Sequence, residues 1–140
     1  MSYQIVSKYI KDISFEIPNA ETLLMFEDHL PKYNLKFDIT SNALKNNIIQ
    51  VDTILKFEND SEDKRKARIE INYAALVRLE QKMKDKLELE KIIIVKVQTD
   101  VYPELFELFT LLVEKSGLSK LKLEKKIDFE ELYNSRKNQK

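Results

Sequence analysis

The sequence contains no cysteine, one glycine and one histidine. Without cysteine the chain has no disulfide, no thiolate metal ligand and no thiol nucleophile, which is compatible with a reducing compartment such as the cytoplasm. A single glycine excludes the glycine-rich loops that cradle nucleotide phosphates. His29 stands alone, and no Ser-His-Asp or metal-ligand spacing can be assembled around it. We therefore expect a protein that is not an enzyme and holds neither a metal nor a cofactor.

Net charge and long apolar runs are lacking as well. The 24 Lys and Arg residues cancel the 24 Asp and Glu residues, which argues against a nucleic-acid binder or a membrane-surface protein. No apolar run approaches the ~18 residues of a membrane span, and the N-terminus has no secretory signal pattern. We expect one soluble, cytoplasmic domain over residues 1–140, a length that suits a single core.

Residues 3–19 alternate with the period of a strand that has one buried face and one wet face. This pattern predicts a first strand over 1–17, ended by Pro18. One parity is expected to face helices and consists of Ile5, Tyr9, Ile13, Phe15 and Ile17. The other parity carries Gln4, Lys8, Asp12, Ser14 and Glu16, but Val6 and Ile10 interrupt it, so this face is not expected to be wholly wet.

Three further strands are predicted within 33–79, after a crossover connection at 18–32. Asn46 and Asn47 are typical of a tight hairpin, because asparagine tolerates left-handed backbone conformations. The later connections are short, which favours an antiparallel meander. The chain therefore predicts an α+β fold, a four-stranded antiparallel meander sheet with helices packed on one face.

Helices are expected after the sheet, in a helical region over 80–117. Residues 92–95 fit either a strand or a buried helix. Thr99 and Asp100 are predicted to cap a long helix that reaches Ser116, and its wide apolar arc indicates burial on two sides. Gly117 follows where a helix C-terminus favours a left-handed residue. A terminal helix is predicted over 128–136, capped by Asp128, with a disordered tail from Arg136.

Eleven residues in specific order, Tyr9 to Asn19, closely resemble the first strand of the SecB family of bacterial export chaperones. The succession of four strands, a long apolar helix, Gly117 and Asp128-Phe129-Glu130-Glu131-Leu132-Tyr133 is similar to that family from end to end. The resemblance implies an ATP-independent holdase that binds unfolded or precursor polypeptides and passes them to the SecA export motor. It also implies a homotetramer built as a dimer of dimers, with no nucleic acid bound and no membrane insertion.

Three sets of residues take roles from this resemblance. The client-binding groove is expected at Leu23, Met25, Phe26, Phe129, Leu132 and Tyr133. Docking of a SecA-like partner is expected at Asp12, Glu16 and Glu70. The two-sided helix suits an oligomer interface, expected at Phe106, Phe109, Leu112 and Val113.

Several positions depart from the family pattern. Ala74 and Ala75 replace a glycine pair, no arginine follows Pro103, and the tail is basic. These departures keep open a dedicated chaperone for one partner, such as the antitoxin of a toxin–antitoxin system. A purely structural interaction module is a third hypothesis. For single residues, an ordinary core position or a solvated sheet face explains the pattern as well as binding does.

Overall fold

The computed structural model describes residues 3–80, 85–118 and 129–138. Its first half contains strands joined by one short helical connection: β1 (Tyr3–Glu16), α1 (Ala20–Leu24), α2 (Phe26–His29), a 3-10 turn (Leu30–Lys32), β2 (Tyr33–Ala43), β3 (Ile48–Asn59) and β4 (Arg68–Leu79). The second half is helical: α3 (Lys86–Lys91), a π-helical turn (Ile92–Lys96), α4 (Val97–Ser116) and α5 (Phe129–Asn138). The predicted Asp128 cap lies outside the described residues. Residues 136–138, expected in the disordered tail, belong to α5.

All four strands pair antiparallel, in the spatial order β1-β4-β3-β2. The α+β class is therefore confirmed, but a meander of all four strands is wrong. Only β2, β3 and β4 follow one another as hairpins, while the long connection after β1 crosses the sheet, as in a Greek key. Consequently β1 and β2 form the two edges of the sheet.

The hairpin between β2 and β3 turns at the asparagine pair. Asn46 and Asn47 have φ of 62° and 60°, the left-handed region that asparagine enters more easily than most residues. The backbone N–H of Leu44 donates to the carbonyl of Ile48 at 2.7 Å and closes the turn. This turn keeps β2 and β3 paired without a register break from Tyr33 to Asn59.

A nearly continuous helix runs from Lys86 to Ser116. Asp85 caps it, because its side chain accepts a hydrogen bond from the Leu87 N–H. The prediction that Thr99 and Asp100 begin the helix is wrong, since both lie inside it. Residues 92–95, which fitted either a strand or a helix, form the π-helical turn. Gly117 ends the helix with φ of 95°, as predicted for a left-handed C-terminal residue.

Strand β1 contains two bulges in its pairing with β4. Its register shifts between Ile5 and Ser7 and again between Ile10 and Asp12. Each extra residue reverses the alternation of side chains, so residues 7–10 point opposite to the parity of the strand ends. Tyr9 therefore lies on the open face, and the prediction that it faces the helices is wrong. Lys8 instead lies on the helix face.

The helices cover one face of the sheet, which we call the helix face. Two apolar clusters lie beneath them. One contains Val51, Val77, Val97, Tyr102 and Phe129, and the other contains Phe26, Phe57, Ile69, Leu105 and Phe109. The opposite face, here called the open face, has no helix against it among the described residues. Candidate functional residues are thus divided between two faces of one sheet.

Candidate functional site

Phe26 and Phe129, two of the three predicted groove aromatics, lie at opposite ends of a continuous row of rings. Successive ring centroids are 5.2 to 6.3 Å apart, the range of favourable aromatic contacts. In order, the aromatic row consists of Phe26, Phe57, Phe109, Phe106, Tyr102 and Phe129. It connects the crossover connection at one end with α5 at the other.

The middle of this row reaches the surface beside β2. Phe37 of β2 contacts Tyr102 edge-on at 5.3 Å, and Phe106 follows Tyr102 by one helical turn. Phe37 and Phe106 are half-buried and pack against both apolar clusters. Together with half-buried Leu35 these side chains form what we call the β2-side strip: Leu35, Phe37, Tyr102 and Phe106. Burial raises the pKa of Tyr102 to about 12, so its phenol is neutral.

At the crossover end of the row, a buried phenylalanine lies next to more accessible apolar side chains. Asn19 caps α1 by accepting from the backbone N–H of Thr22 at 2.9 Å. Phe26 is only 3% exposed and packs on Tyr33 and Phe57, whereas Leu23 is 40% exposed. Predicted groove residue Met25 is half-buried between them. Leu23 and Met25 are therefore the accessible members at this end, and Phe26 holds them in place.

At the other end, α5 is tied to the start of the long helix. Phe129 packs on Tyr102, and the Tyr133 hydroxyl donates to the carbonyl of Leu87 at 3.0 Å. Both aromatic side chains are buried. The side chain of Leu132 lies outside the described part of the chain. The predicted groove residues Phe26 and Phe129 thus lie at the two ends of the row, whereas the half-buried Phe37 and Phe106 beside its middle were not among the predicted groove residues.

The helix α4 presents a different apolar surface toward β1. Lys8 of β1 forms an ion pair with Glu104 at 2.8 Å, which shows the side of α4 that faces β1. Leu108, Leu111 and Leu112 follow Glu104 at helical spacing on that side. Leu111 is 49% exposed, and β1 adds two exposed isoleucines on the helix face. We call this group the β1-side strip: Ile10, Ile13, Leu108, Leu111 and Leu112.

The predicted interface residues divide among three environments. Phe109 and Val113 are buried within the chain, at 1% and 4% exposure. Phe106 belongs to the β2-side strip, and Leu112 belongs to the β1-side strip. The surface of α4 that is free to meet another chain beside β1 is therefore Leu108, Leu111 and Leu112.

The three predicted docking carboxylates share the open face. Pairing with β4 places Asp12 opposite Asn72, Ser14 opposite Glu70 and Glu16 opposite Arg68. Asp12 and Glu16 are exposed, while Glu70 is half-buried. Lys56 on β3 lies 3.5 Å from the Glu70 carboxylate. The sheet thus brings the three groups onto one surface, but cations lie among them.

The charges of the open face are of both signs. The strand registers and the contact of Lys11 place six carboxylates and five cations on this face. The carboxylates are Asp12, Glu16, Asp38, Asp52, Glu58 and Glu70, and the cations are Lys11, Lys36, Lys56, Arg68 and Arg78. A single-sign acidic patch is absent from this described surface. Long-range attraction of a basic partner is therefore weaker than the three carboxylates alone suggest.

Asp52 is the one nearly buried carboxylate of the open face, at 8% exposure. Its oxygens accept hydrogen bonds from Lys11 at 2.9 Å, Gln50 at 2.8 Å and Asn72 at 3.3 Å. Burial alone would raise the pKa of Asp52, but these three donors outweigh it and lower the pKa below its usual value. Asp52 is thus a structural carboxylate that holds three strands together.

The side chains that could take part in catalysis or hold a metal are not grouped into a site in the described part of the chain. In the described ranges, no three His, Asp or Glu side chains are grouped so as to hold a metal ion. His29 lies in the crossover connection at the end of α2. Among the described helices, none is long and apolar enough to cross a membrane. The structure therefore directs attention to its apolar strips.

Comparison with known proteins gives a consistent result. The SecB family model, described as preprotein translocase subunit SecB, matches residues 1–140. A protein of Pelagibacter ubique, provisionally named protein-export protein SecB, is 44% identical over 137 residues, 98% of each chain. Protein-export protein SecB of Parvibaculum lavamentivorans is 26% identical over 136 residues, 97% of this chain and 79% of the relative.

A solved structure also has a similar fold. It is a SecB-like chaperone of Mycobacterium tuberculosis in complex with a ChAD peptide from the HigA1 antitoxin. The TM-score is 0.66 at 18% sequence identity, with 88% of this chain and 86% of the other chain covered. At this identity the likeness concerns the fold alone.

Proposed function

The chain belongs to the SecB family of export chaperones, and from this premise we propose that it is an ATP-independent holdase for unfolded or precursor polypeptides. The observation that carries the proposal is the β2-side strip, where a continuous row of rings becomes accessible next to an edge strand. A cytoplasmic location, before export of the clients, is part of the proposal. We propose no catalytic step.

Two adjacent features suit an extended client chain. In the described sheet, β2 is an edge strand, and edge strands are the usual place where an extended peptide is added to a sheet. Beside it, Phe37 and Phe106 offer apolar surface, and burial contributes about 25 cal/mol per Å² of apolar area. Backbone pairing and apolar contact both select little for sequence, which explains how one site holds many unfolded chains.

Suppression of aggregation tests this proposal. Unfolded citrate synthase is diluted into buffer with the full-length protein, and light scattering is followed. Phe37→Asp and Phe106→Asp are expected to remove most of the protection, because a carboxylate in the strip is unfavourable to desolvate beside an apolar client. The control Thr40→Asp adds the same charge to β2 on the open face and should protect fully. Equal protection by all variants would exclude the β2-side strip.

Assembly as a dimer of dimers is a second part of the proposal. The β1-side strip leaves exposed apolar side chains beside the unpaired edge of β1, and apolar surface of this kind is typical of subunit contacts. Multi-angle light scattering on the wild type should give a tetramer, and Leu111→Glu should shift it toward smaller species. A wild-type protein that is monomeric at micromolar concentration would contradict the proposed dimer of dimers.

Transfer of clients to SecA is proposed for the open face, through Asp12, Glu16 and Glu70. These carboxylates match the positions implied by the family resemblance and lie on one accessible surface. The mixed charges around them favour short-range pairing over long-range attraction. Isothermal titration with SecA should therefore show a modest dependence on salt, whereas a steep dependence would indicate a uniformly acidic site elsewhere.

A dedicated chaperone for one partner, such as an antitoxin, is the second candidate. It is favoured by the similar fold of a SecB-like chaperone solved with an antitoxin peptide and by the mixed charge of the open face. Purification of the tagged protein from its native cells decides between the two. A spread of precursor proteins supports the general holdase, and one stoichiometric partner supports the dedicated chaperone.

A further inference from the structure

A lysine lies at or beside each of the two bulges of β1. The two lysines are held on opposite faces of the sheet. Lys8, between the bulges, lies on the helix face with its ammonium 2.8 Å from Glu104 of α4. Lys11, at the second bulge, reaches across the open face to Asp52 of β3 at 2.9 Å. The short segment from Ser7 to Ile10 is therefore held from both faces.

Apolar alternation alone does not require this arrangement. Two bulges in one strand restore the original parity, so Ile5 and Ile13 face the helices whether both bulges are present or both are absent. Without them, a strand aligned on the Glu16–Arg68 pair would place Ile10, instead of Tyr9, opposite Ala74. The N-terminal half of β1 would then move along β4 by two residues, about 7 Å.

The two lysines distinguish these registers. In the straight register, the side chain of Lys8 would point to the open face and that of Lys11 to the helix face, because the alternation between the bulges is reversed. Glu104 and Asp52 would each lose their lysine. Both ion pairs thus exist only in the bulged register, and Tyr73, which donates to Glu104 at 3.1 Å, reinforces the one on the helix face.

We propose that Lys8 and Lys11 form a register lock in β1, in which one ion pair on each face of the sheet holds the two bulges in place. Because β1 is an edge strand, the lock decides which backbone groups and which side chains, Val6 and Ile10 among them, the strand presents to a second chain. The lock also connects α4 to the edge through Glu104. It does not depend on client binding.

Disulfide trapping measures the register directly, since the chain has no cysteine of its own. Directly paired antiparallel residues have Cα separations within the range of a disulfide. The pair Tyr9→Cys with Ala74→Cys reports the bulged register, and Ile10→Cys with Ala74→Cys reports the straight one. In the otherwise unchanged chain, the first pair should crosslink and the second should remain reduced after mild oxidation.

Removal of the lock should change the ratio of the two crosslinks. Lys8→Ala with Lys11→Ala is expected to lower the ratio of bulged to straight crosslink about tenfold, as for loss of one charge-assisted hydrogen bond. Lys36→Ala, which removes the exposed Lys36–Asp60 pair on β2, is the matched control and should leave the ratio unchanged.

If circular dichroism shows that the double lysine variant does not fold, Asp52→Asn tests the same proposal with a smaller change. It keeps the side-chain shape and should lower the ratio in the same direction. An unchanged ratio in Asp52→Asn, or an equal change in Lys36→Ala, overturns the lock. The aggregation assay on the same variants reports the holdase separately, so loss of the lock and loss of the proposed function are distinguishable.

Discussion

The helix face and the open face of the same sheet carry different kinds of side chain. On the helix face, Leu55, Phe57, Ile69 and Ile71 are almost fully buried under the helices. On the open face, neighbouring positions of the same strands carry charges of both signs. The difference shows that the helix face contains the apolar core that stabilises the chain, whereas the open face is a largely polar surface without a described helix against it. Asp52 is the exception, because it is a buried group on the polar side.

The largest effect should come from Phe57, a buried ring of the aromatic row. Phe57 is 2% exposed and touches three other rings, so Phe57→Ala should lower the free energy of unfolding by about 3–5 kcal/mol. Urea denaturation followed by circular dichroism measures this change. The adjacent Lys56→Ala lies on the open face and should lower it by less than about 1 kcal/mol. Similar losses of unfolding free energy in both variants would show that the helix face does not contribute more stability than the open face.

An intermediate effect is expected at Asp52, where the contrast fails. Asp52→Asn should lower the free energy of unfolding by about 1–3 kcal/mol at pH 7, because charge-assisted hydrogen bonds are lost. Since the folded-state pKa is lowered, the contribution of Asp52 is fully present above the unfolded pKa of ~3.9 and disappears as pH falls through the folded value.

Acid titration checks that dependence. The difference between wild type and Asp52→Asn in free energy of unfolding should be constant from pH 7 to about pH 5 and should shrink below pH 4. Asp12→Asn, an exposed carboxylate of the same face, is the control. A difference that stays constant to the lowest pH would show that Asp52 does not hold its charge in the folded state.

The smallest effect on stability should come from the exposed carboxylates. Asp12→Lys together with Glu16→Lys should change the free energy of unfolding by no more than about 0.5 kcal/mol per site. We expect this variant to suppress aggregation normally and to lose binding to SecA. Equal loss of both activities would mean that these positions matter only for the structure of β1.

Much of the fold follows from the alternation of apolar residues. The faces of β2, β3 and β4 could be predicted because these strands pair without a register break. The middle of β1 could not, because a bulge depends on the partner strand. Val6 and Ile10 interrupt the polar parity near the two bulges, but this interruption alone does not give the register. Tyr9 and Lys8 were therefore assigned to the wrong faces. The strand order likewise depends on long-range pairing of β1 with β4.

The candidate site was predictable at its ends and not in its middle. Phe26 and Phe129 were predicted from the resemblance to the SecB family, and their role in a groove stays a prediction. Phe37 and Phe106 have the spacing of ordinary core residues, and only the location of β2 at the sheet edge makes them accessible. The residues of a strand do not determine whether it lies at the edge or in the centre of a sheet. The accessibility of Phe37 and Phe106 could therefore not be predicted from the sequence.

The π-helical turn from Ile92 to Lys96 has a consequence for the phase of the long helix. A π-helical turn contains about one residue more than an α-helical turn. The wider turn absorbs that residue, so α3 and α4 keep the relative phase of a regular α-helix that is one residue shorter. Deletion of one residue between Leu87 and Ile92, outside the wide turn, would instead rotate the start of α3 by about 100° relative to α4. The carbonyl of Leu87, which accepts from Tyr133, would then turn away from α5, which covers the end of the aromatic row.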